Sequence, residues 1–254
     1  MKLYVINLDR SQERLQNITS VFNNQGLKLE RIPAVDAALI CDEDCQKFAA
    51  INRWKYPLTK GEIACFLSHC VIWKKNVNDK LPYAAIFEDD ADLSPDAHQF
   101  LSSCEWIPVN ADIVKLETRK NRVHLGRAVK LNCSRRIAEL KSTHLLSAGY
   151  IISQRAAARL LRESEKIIMP VDHFMFNFGY ETARKLKLYQ LDPAIVIQGN
   201  FPTTIMLPAR KKKIGFQRKL SREMKRIIRD IRACFHAAVR FIAARESWKR
   251  VPWA

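Results

Sequence analysis

The sequence predicts an α/β fold in which helices flank a largely parallel sheet, and three observations lead there. Short apolar runs alternate with segments of helical periodicity in the order strand, helix, strand, helix, strand. The longest helical segment opens on residues spaced as a capping box. A third apolar run breaks off into a cluster of acids, as a core strand does when it delivers ligand groups at its carboxyl end. At 254 residues, 48% hydrophobic, with only 7 Gly and 10 Pro, the chain has material for one substantial core.

Taken in order, KLYVINL at 2–8 reads as a buried strand, because Leu3, Val5, Ile6 and Leu8 are followed at once by the polar DRSQER. A helix begins near Ser11, with Leu15, Ile18, Val21 and Phe22 at helical spacing, and stops between Asn24 and Gly26. LERIPAVDA is a second strand ending at Pro33, with Asp36 just beyond it. In PLTKGEIACFLSHCVIWKKNV, Thr59 and Glu62 form the capping-box pair, and Ile63, Phe66, Cys70, Trp73 and Val77 make one stripe. LPYAAIFEDDADLS is the third strand, ADIVKLE a further one, and STHLLSAGYIISQRAAARLLRES a strand passing into an Ala-rich helix. KLYQLDPAIVIQG reads as a late strand pair, and no internal repeat or low-complexity linker interrupts the chain.

Seven cysteines, an odd number without zinc-finger spacing, and an N-terminus without a signal-peptide pattern predict a reduced, cytoplasmic setting. The formal net charge is +17, yet it is concentrated: positions 209–254 hold fifteen Lys or Arg against Glu223, Asp230 and Glu246. The composition therefore changes near Pro208, which divides a domain at 1–208 from a basic tail at 209–254.

Four acids, Glu88, Asp89, Asp90 and Asp92, crowd the end of the third strand. Like charges so close repel, and a partly buried carboxylate needs a cationic partner. Hard oxygen ligands at this edge suit Mg²⁺ or Mn²⁺ beside a phosphorylated substrate. The residues alone leave open a metal site, a solvated acidic turn or a helix cap.

Several motifs in register resemble glycosyltransferase family 25: VINLDRSQER, RIPAVDA, LTKGEIACFLSHCVIW, LPYAAIFEDDADLS, SAGYIISQRAAARLL and MPVDHF, in a resemblance that covers about Met1 to Met206. That family comprises bacterial lipooligosaccharide glycosyltransferases and is similar to the collagen galactosyltransferases. The resemblance implies a GT-A-type, Rossmann-like fold that binds a UDP-sugar, with a divalent cation (Mn²⁺ or Mg²⁺) held on the diphosphate by the acidic motif. It implies Asp90 as first metal ligand, with Glu88 and Asp92 beside it, and Asp89 as a donor-side or structural acid. It also implies that Asn7, Leu8, Arg10 and Arg14 surround the nucleotide. Arg14 suits phosphate through its forked guanidinium, although Arg10 and Arg14 at this spacing also fit a solvated helix face. Asp36 is expected near uridine or ribose, or as a cap. Gly61, Ser68 and His69 are binding candidates, and Gly149 and Tyr150 are expected to shape the sugar pocket. Asp172 is the expected general base or a member of the metal or acceptor site, with His173 as runner-up. Lys60, Ala64, Ser147 and Ala148 depart from residues common in the family.

The implied reaction is inverting transfer of a hexose, galactose first, from a UDP-sugar to a lipid-linked lipooligosaccharide core. The tail repeats Leu220, Met224, Ile227, Ile228, Ile231, Phe235, Val239 and Ile242 at helical steps among cations. This predicts a basic amphipathic helix on an anionic membrane, making the protein peripheral on the inner membrane, or a helix packed on the domain. Nucleic-acid binding ranks lower because no nucleic-acid motif accompanies the charge. A non-catalytic protein binding lipid or nucleic acid through its tail is the contrasting expectation. Composition and spacing carry no information on oligomeric state.

Overall fold

The computed structural model describes residues 1–119, 121–131, 135–199 and 246–253. Its first half follows the expected alternation through β1 (Lys2–Asn7), α1 (Gln12–Asn23), β2 (Leu29–Pro33), a 3-10 turn at Ala37–Leu39, α3 (Lys60–Asn78) and β3 (Tyr83–Glu88), with one further helix ahead of α3 that the expected order does not include, α2 (Asp42–Ile51). The second half is more broken, with β4 (Ala91–Leu93), α4 (His98–Leu101), β5 (Ile113–Lys115), β6 (Arg122–Leu125), β7 (Val129–Lys130) and β8 (Arg136–Glu139). It continues through β9 (Gly149–Ser153), α5 (Gln154–Ser164), α6 (Val171–Phe176), α7 (Glu181–Arg184), β10 (Leu188–Asp192), β11 (Val196–Gln198) and β12 (Ser247–Arg250).

An eight-stranded sheet runs in the order β2-β1-β3-β9-β5-β10-β8-β7. β2, β1, β3, β5, β10 and β7 point one way, while β9 and β8 run against them. The sheet is thus mixed but mostly unidirectional. β1 is buried on both faces, which is why it reads as an apolar run without alternation. Tyr4 and Ile6 join Phe66, Trp73, Ile86, Ile152 and Phe174 in one core. Leu3 and Val5 join Ile18, Phe22, Phe87 and Ile151 in the other. Thr59 and Glu62 make the expected reciprocal capping box, which fixes where α3 begins beside the sheet.

Both expected late strands form, β10 and β11, but in different sheets: β10 joins the main sheet next to β5, whereas β11 pairs with β4 in a separate two-stranded sheet. Ala194 and Ile195, buried between them, carry the chain from one sheet to the other. The tail expectation concerns two stretches with different outcomes. The stripe from Leu220 to Ile242 lies outside the described residues. The end of the tail is not helical: β12 pairs antiparallel with β6, Val251 is fully buried, and Lys249 Nζ meets Asp192 Oδ2 at 2.6 Å. The expected helical tail at 209–254 is thus corrected at its end, where the last described residues belong to the body. A short polar strand with a single buried valine has no periodicity to reveal it. No helix among the described residues is long and apolar enough to cross a membrane.

Candidate active site

The carboxyl ends of β1, β2, β3 and β5 and the amino end of β9 meet at one edge of the sheet. A cavity of about 760 Å³ opens there, walled by the loops after β1 and β3, the first turns of α3, the segment before β9, and the start of α6. Asn7, Leu8, Arg10, Arg14, Gly61, Ser68, His69, Glu88, Asp89, Asp90, Asp172 and His173 all line it. Asp36, Asp92, Gly149 and Tyr150 do not.

The acids of the third strand separate into different environments. Asp89 is held on both oxygens, by Asn7 Nδ2 at 2.8 Å and Arg14 Nη1 at 2.9 Å. Asn7 in turn accepts from Arg31 Nε at 3.0 Å, so a part-buried network ties the end of β1, α1 and β2 to the loop after β3. This places Arg14 at the cavity with a partner already in reach, and gives Asp89 a structural part.

Glu88 turns the other way. It accepts from Ser147 Oγ at 2.6 Å, and its Oε1 stands 3.5 Å from His69 Nε2. Burial acts to raise this carboxyl, but His69, Ser147 and Lys115 outweigh it and hold Glu88 below the usual range.

Asp90 is different again. One oxygen accepts from Gln198 Nε2 at 2.9 Å, while Oδ1 is buried without a hydrogen-bond partner. Burial first, then the charges of Glu88 and Asp89, push its carboxyl up to about 6. An orphaned oxygen on a carboxylate surrounded by like charge fits a divalent cation, which would satisfy the oxygen and relieve the repulsion. Glu88, Asp90 and Asp92 do not bring three ligand atoms within 4.8 Å of one another. Asp92 leaves the cluster because β4 pairs with β11, setting it opposite Ile197.

Behind the wall, His69 Nδ1 meets the Tyr150 hydroxyl at 2.8 Å, and Trp73 Nε1 donates to that same hydroxyl at 3.0 Å. Tyr150 is fully buried, does not line the cavity, and meets it only through its contact with His69. Gly149 is dictated by packing: a Cβ there would lie 2.8 Å from both Val196 methyls. Ser68 accepts from the Val35 amide at 2.9 Å and fastens the loop after β2. Asp36 caps the 3-10 turn through the Ala38 amide at 2.9 Å and pairs with Arg10 at the rim.

Asp172 accepts from the Leu146 amide at 3.2 Å and the His173 amide at 2.7 Å. Leu146, at φ 78°, is in the left-handed region that disfavours a side chain, and its carbonyl is gripped by Lys115 Nζ at 2.6 Å. Lys115 and Glu117 form a fully buried pair, in which burial lowers the ammonium and pushes the Glu117 carboxyl up to about 7. His173 packs against Trp54 with ring centroids 4.2 Å apart and the rings tilted by 43°, and burial pushes its imidazole down against the pull of Asp172.

Cys65, Ser147, Trp54, Arg119 and Gln198 also line the cavity and are not among the site residues expected from the sequence. Arg119 follows the apolar ADIVKLE as Asp90 follows YAAIF, so the rule that found one carboxyl-edge residue applied to the other. The remaining four are brought in from separate elements, and nothing local signals them.

A mostly unidirectional α/β sheet with carboxylates and guanidinium groups gathered at its carboxyl edge defines a ligand-binding enzyme scaffold. The chain belongs to glycosyltransferase family 25 (LPS biosynthesis protein), whose family model matches residues 1–175. It is 41% identical over 152 residues to the lipooligosaccharide biosynthesis protein lex-1 of Haemophilus influenzae, spanning 56% of this chain and 50% of that protein. It is 29% identical over 240 residues to lic2B, a lipooligosaccharide biosynthesis protein of the same species, spanning 90% of this chain and 88% of that protein. The lacto-N-neotetraose biosynthesis glycosyltransferase LgtE of Neisseria meningitidis is 31% identical over 208 residues, or 78% of this chain and 74% of that one.

Proposed function

We propose that this glycosyltransferase moves a hexose, galactose first, from a UDP-sugar to a lipooligosaccharide core acceptor with inversion, on a GT-A-type fold and with Mn²⁺ or Mg²⁺. The observation that carries this reading is the buried, unpartnered Oδ1 of Asp90 in the cavity at the sheet's carboxyl edge. Asp90 would hold the cation, together with donor phosphate oxygens and water, which needs no cage of three protein acids. The cation would supply charge stabilisation for the departing nucleotide.

The chain's own residues divide the remaining tasks. Arg10 and Arg119, at the cavity rim, offer guanidinium groups to the diphosphate. Asp89 keeps Arg14 and Asn7 in place at the same wall. Asp172 is the base that takes the proton of the attacking acceptor hydroxyl; its two backbone amide contacts fix the carboxylate's orientation. The relatives' roles in lipooligosaccharide and lacto-N-neotetraose biosynthesis support a saccharide acceptor. The basic segment from Ala209, attracted to anionic headgroups, would hold the enzyme at the cytoplasmic face of the inner membrane where such an acceptor is built.

UDP should raise the unfolding midpoint, and raise it further with Mn²⁺, since a ligand that binds only the folded state stabilises it. A shift with neither would favour the non-catalytic reading. Incubation with a panel of UDP-sugars, scored by donor hydrolysis, identifies the sugar. Asp172→Asn should keep UDP and Mn²⁺ affinity while lowering transfer by roughly 10²-fold or more; loss of metal affinity instead would move Asp172 into the metal shell.

A further inference from the structure

Cys65 and His69 lie one helical turn apart on α3 and face the end of β3. Their ligand atoms and a Glu88 carboxylate oxygen all fall within 4.8 Å of one another, the only such trio among the described residues. His69 is fully buried, and its Nε2 has no hydrogen-bond partner. That nitrogen points at Glu88 across 3.5 Å, beyond the range of a good hydrogen bond. All three residues reach the cavity.

We propose that Cys65, His69 and Glu88 form a site for one zinc-class transition-metal ion, bound by thiolate, imidazole and carboxylate with a fourth position open to the cavity. The donor set selects the metal: thiolate and imidazole suit Zn²⁺, whereas Mg²⁺ and Mn²⁺ favour carboxylate and water. The site is distinct from Asp90, whose unpartnered oxygen offers only hard ligation.

The surroundings are organised as such a site requires. A metal-bound imidazole presents a lone pair on one nitrogen and donates the N–H of the other to an outer partner. The Tyr150 oxygen, fixed by Trp73, stands 2.8 Å from Nδ1 to accept that N–H. Ser147 occupies Glu88 Oε1 at 2.6 Å and orients the carboxylate. Binding releases the Cys65 thiol proton to solvent and converts the sulfur to the bound thiolate. The ion would bridge α3 to β3 at the cavity wall.

Co²⁺ titrated into the reduced full chain, without donor, should produce near-ultraviolet thiolate-to-metal charge transfer and the intense visible bands of a four-coordinate ion. Zn²⁺ should displace it, and equal Mg²⁺ should not. Cys65→Ser should abolish the charge-transfer band, and His69→Gln should weaken binding at least about tenfold, the scale on which even outer partners of a metal site act. As a check that needs no variant, Zn²⁺ should slow alkylation of Cys65 but not of Cys70, read by peptide mass spectrometry. Absence of the charge-transfer band, its persistence in Cys65→Ser, or equal alkylation of Cys65 with and without Zn²⁺ would overturn the proposal. Because no donor is present, these outcomes are independent of whether UDP binds.

Discussion

Asp90 and Lys115 show at the residue scale how burial at one edge of the sheet governs a charged group, Asp90 with an unpartnered oxygen and Lys115 paired with Glu117. With its folded pKa raised to about 6 from the ordinary 3.8, Asp90 holds a proton more tightly in the folded state than in the unfolded one. In the metal-free protein this contribution to stability is present below the unfolded pKa and is lost as pH rises through about 6. Asp90→Asn should therefore abolish transfer, yet leave the metal-free unfolding midpoint at pH 8 unchanged or higher. A lower midpoint would show that the carboxylate contributes to the fold. The same proton competes with a cation, so Mn²⁺-dependent stabilisation in wild type should fade as pH drops through about 6. Lys115 carries the opposite risk. Replacing it with Met removes the donor to the Leu146 carbonyl and strands Glu117 in the core, which should cost about 3–5 kcal/mol in urea unfolding.

At the scale of elements, β9 is what turns strand ends into a site. Running against β3 and β5, it brings the segment ahead of it, with Ser147, back to the carboxyl edge beside Glu88. Its first residue must be small, since Val196 on the crossing β11 leaves no room for a Cβ. Gly149→Ala should destabilise by about 1–3 kcal/mol through overpacking. Val196→Ala in the same chain should recover part of that loss, so a double-mutant cycle should give a coupling of about 0.5 kcal/mol or more. Additive effects would place the cause in the backbone of Gly149 instead. Capping is the simpler case: Thr59→Ala removes one half of the reciprocal pair at α3 and should cost about 1 kcal/mol.

Across the whole molecule, the chain's end closes onto the body. Val251 is buried in the same core as Tyr4 and Trp73, Thr118 Oγ1 donates to its carbonyl at 2.7 Å, and the Ala194 amide donates to the Pro252 carbonyl at 2.8 Å. Val251→Ala should cost about 2 kcal/mol by cavity formation, and removing 246–254 should lower the unfolding midpoint further. A truncation after Pro208 thus tests two things together, membrane attachment and the β12 contact. Vesicle binding by the basic segment is read more cleanly in the full chain, as a salt-dependent preference for anionic over neutral vesicles.

Local patterns along the chain were enough for the α/β alternation, the bounds of α1 and α3, and the carboxyl-edge location of Glu88 and Asp90. These follow from patterns a few residues long: apolar runs, helical stripes and a capping box, each of which states its own geometry. The surroundings of each site residue are set by tertiary contacts. Four clustered acids differ because Asp89 meets Arg14, Glu88 meets Ser147 and His69, Asp90 keeps an oxygen without a hydrogen-bond partner, and Asp92 follows β4 to another sheet. Tyr150 retreats behind His69, Gly149 answers to Val196, and a short polar strand at the chain's end joins the fold. Those outcomes depend on partners tens to more than a hundred residues away. A local pattern can place a side chain on an edge, but its environment is assembled by elements whose pairing that pattern does not encode.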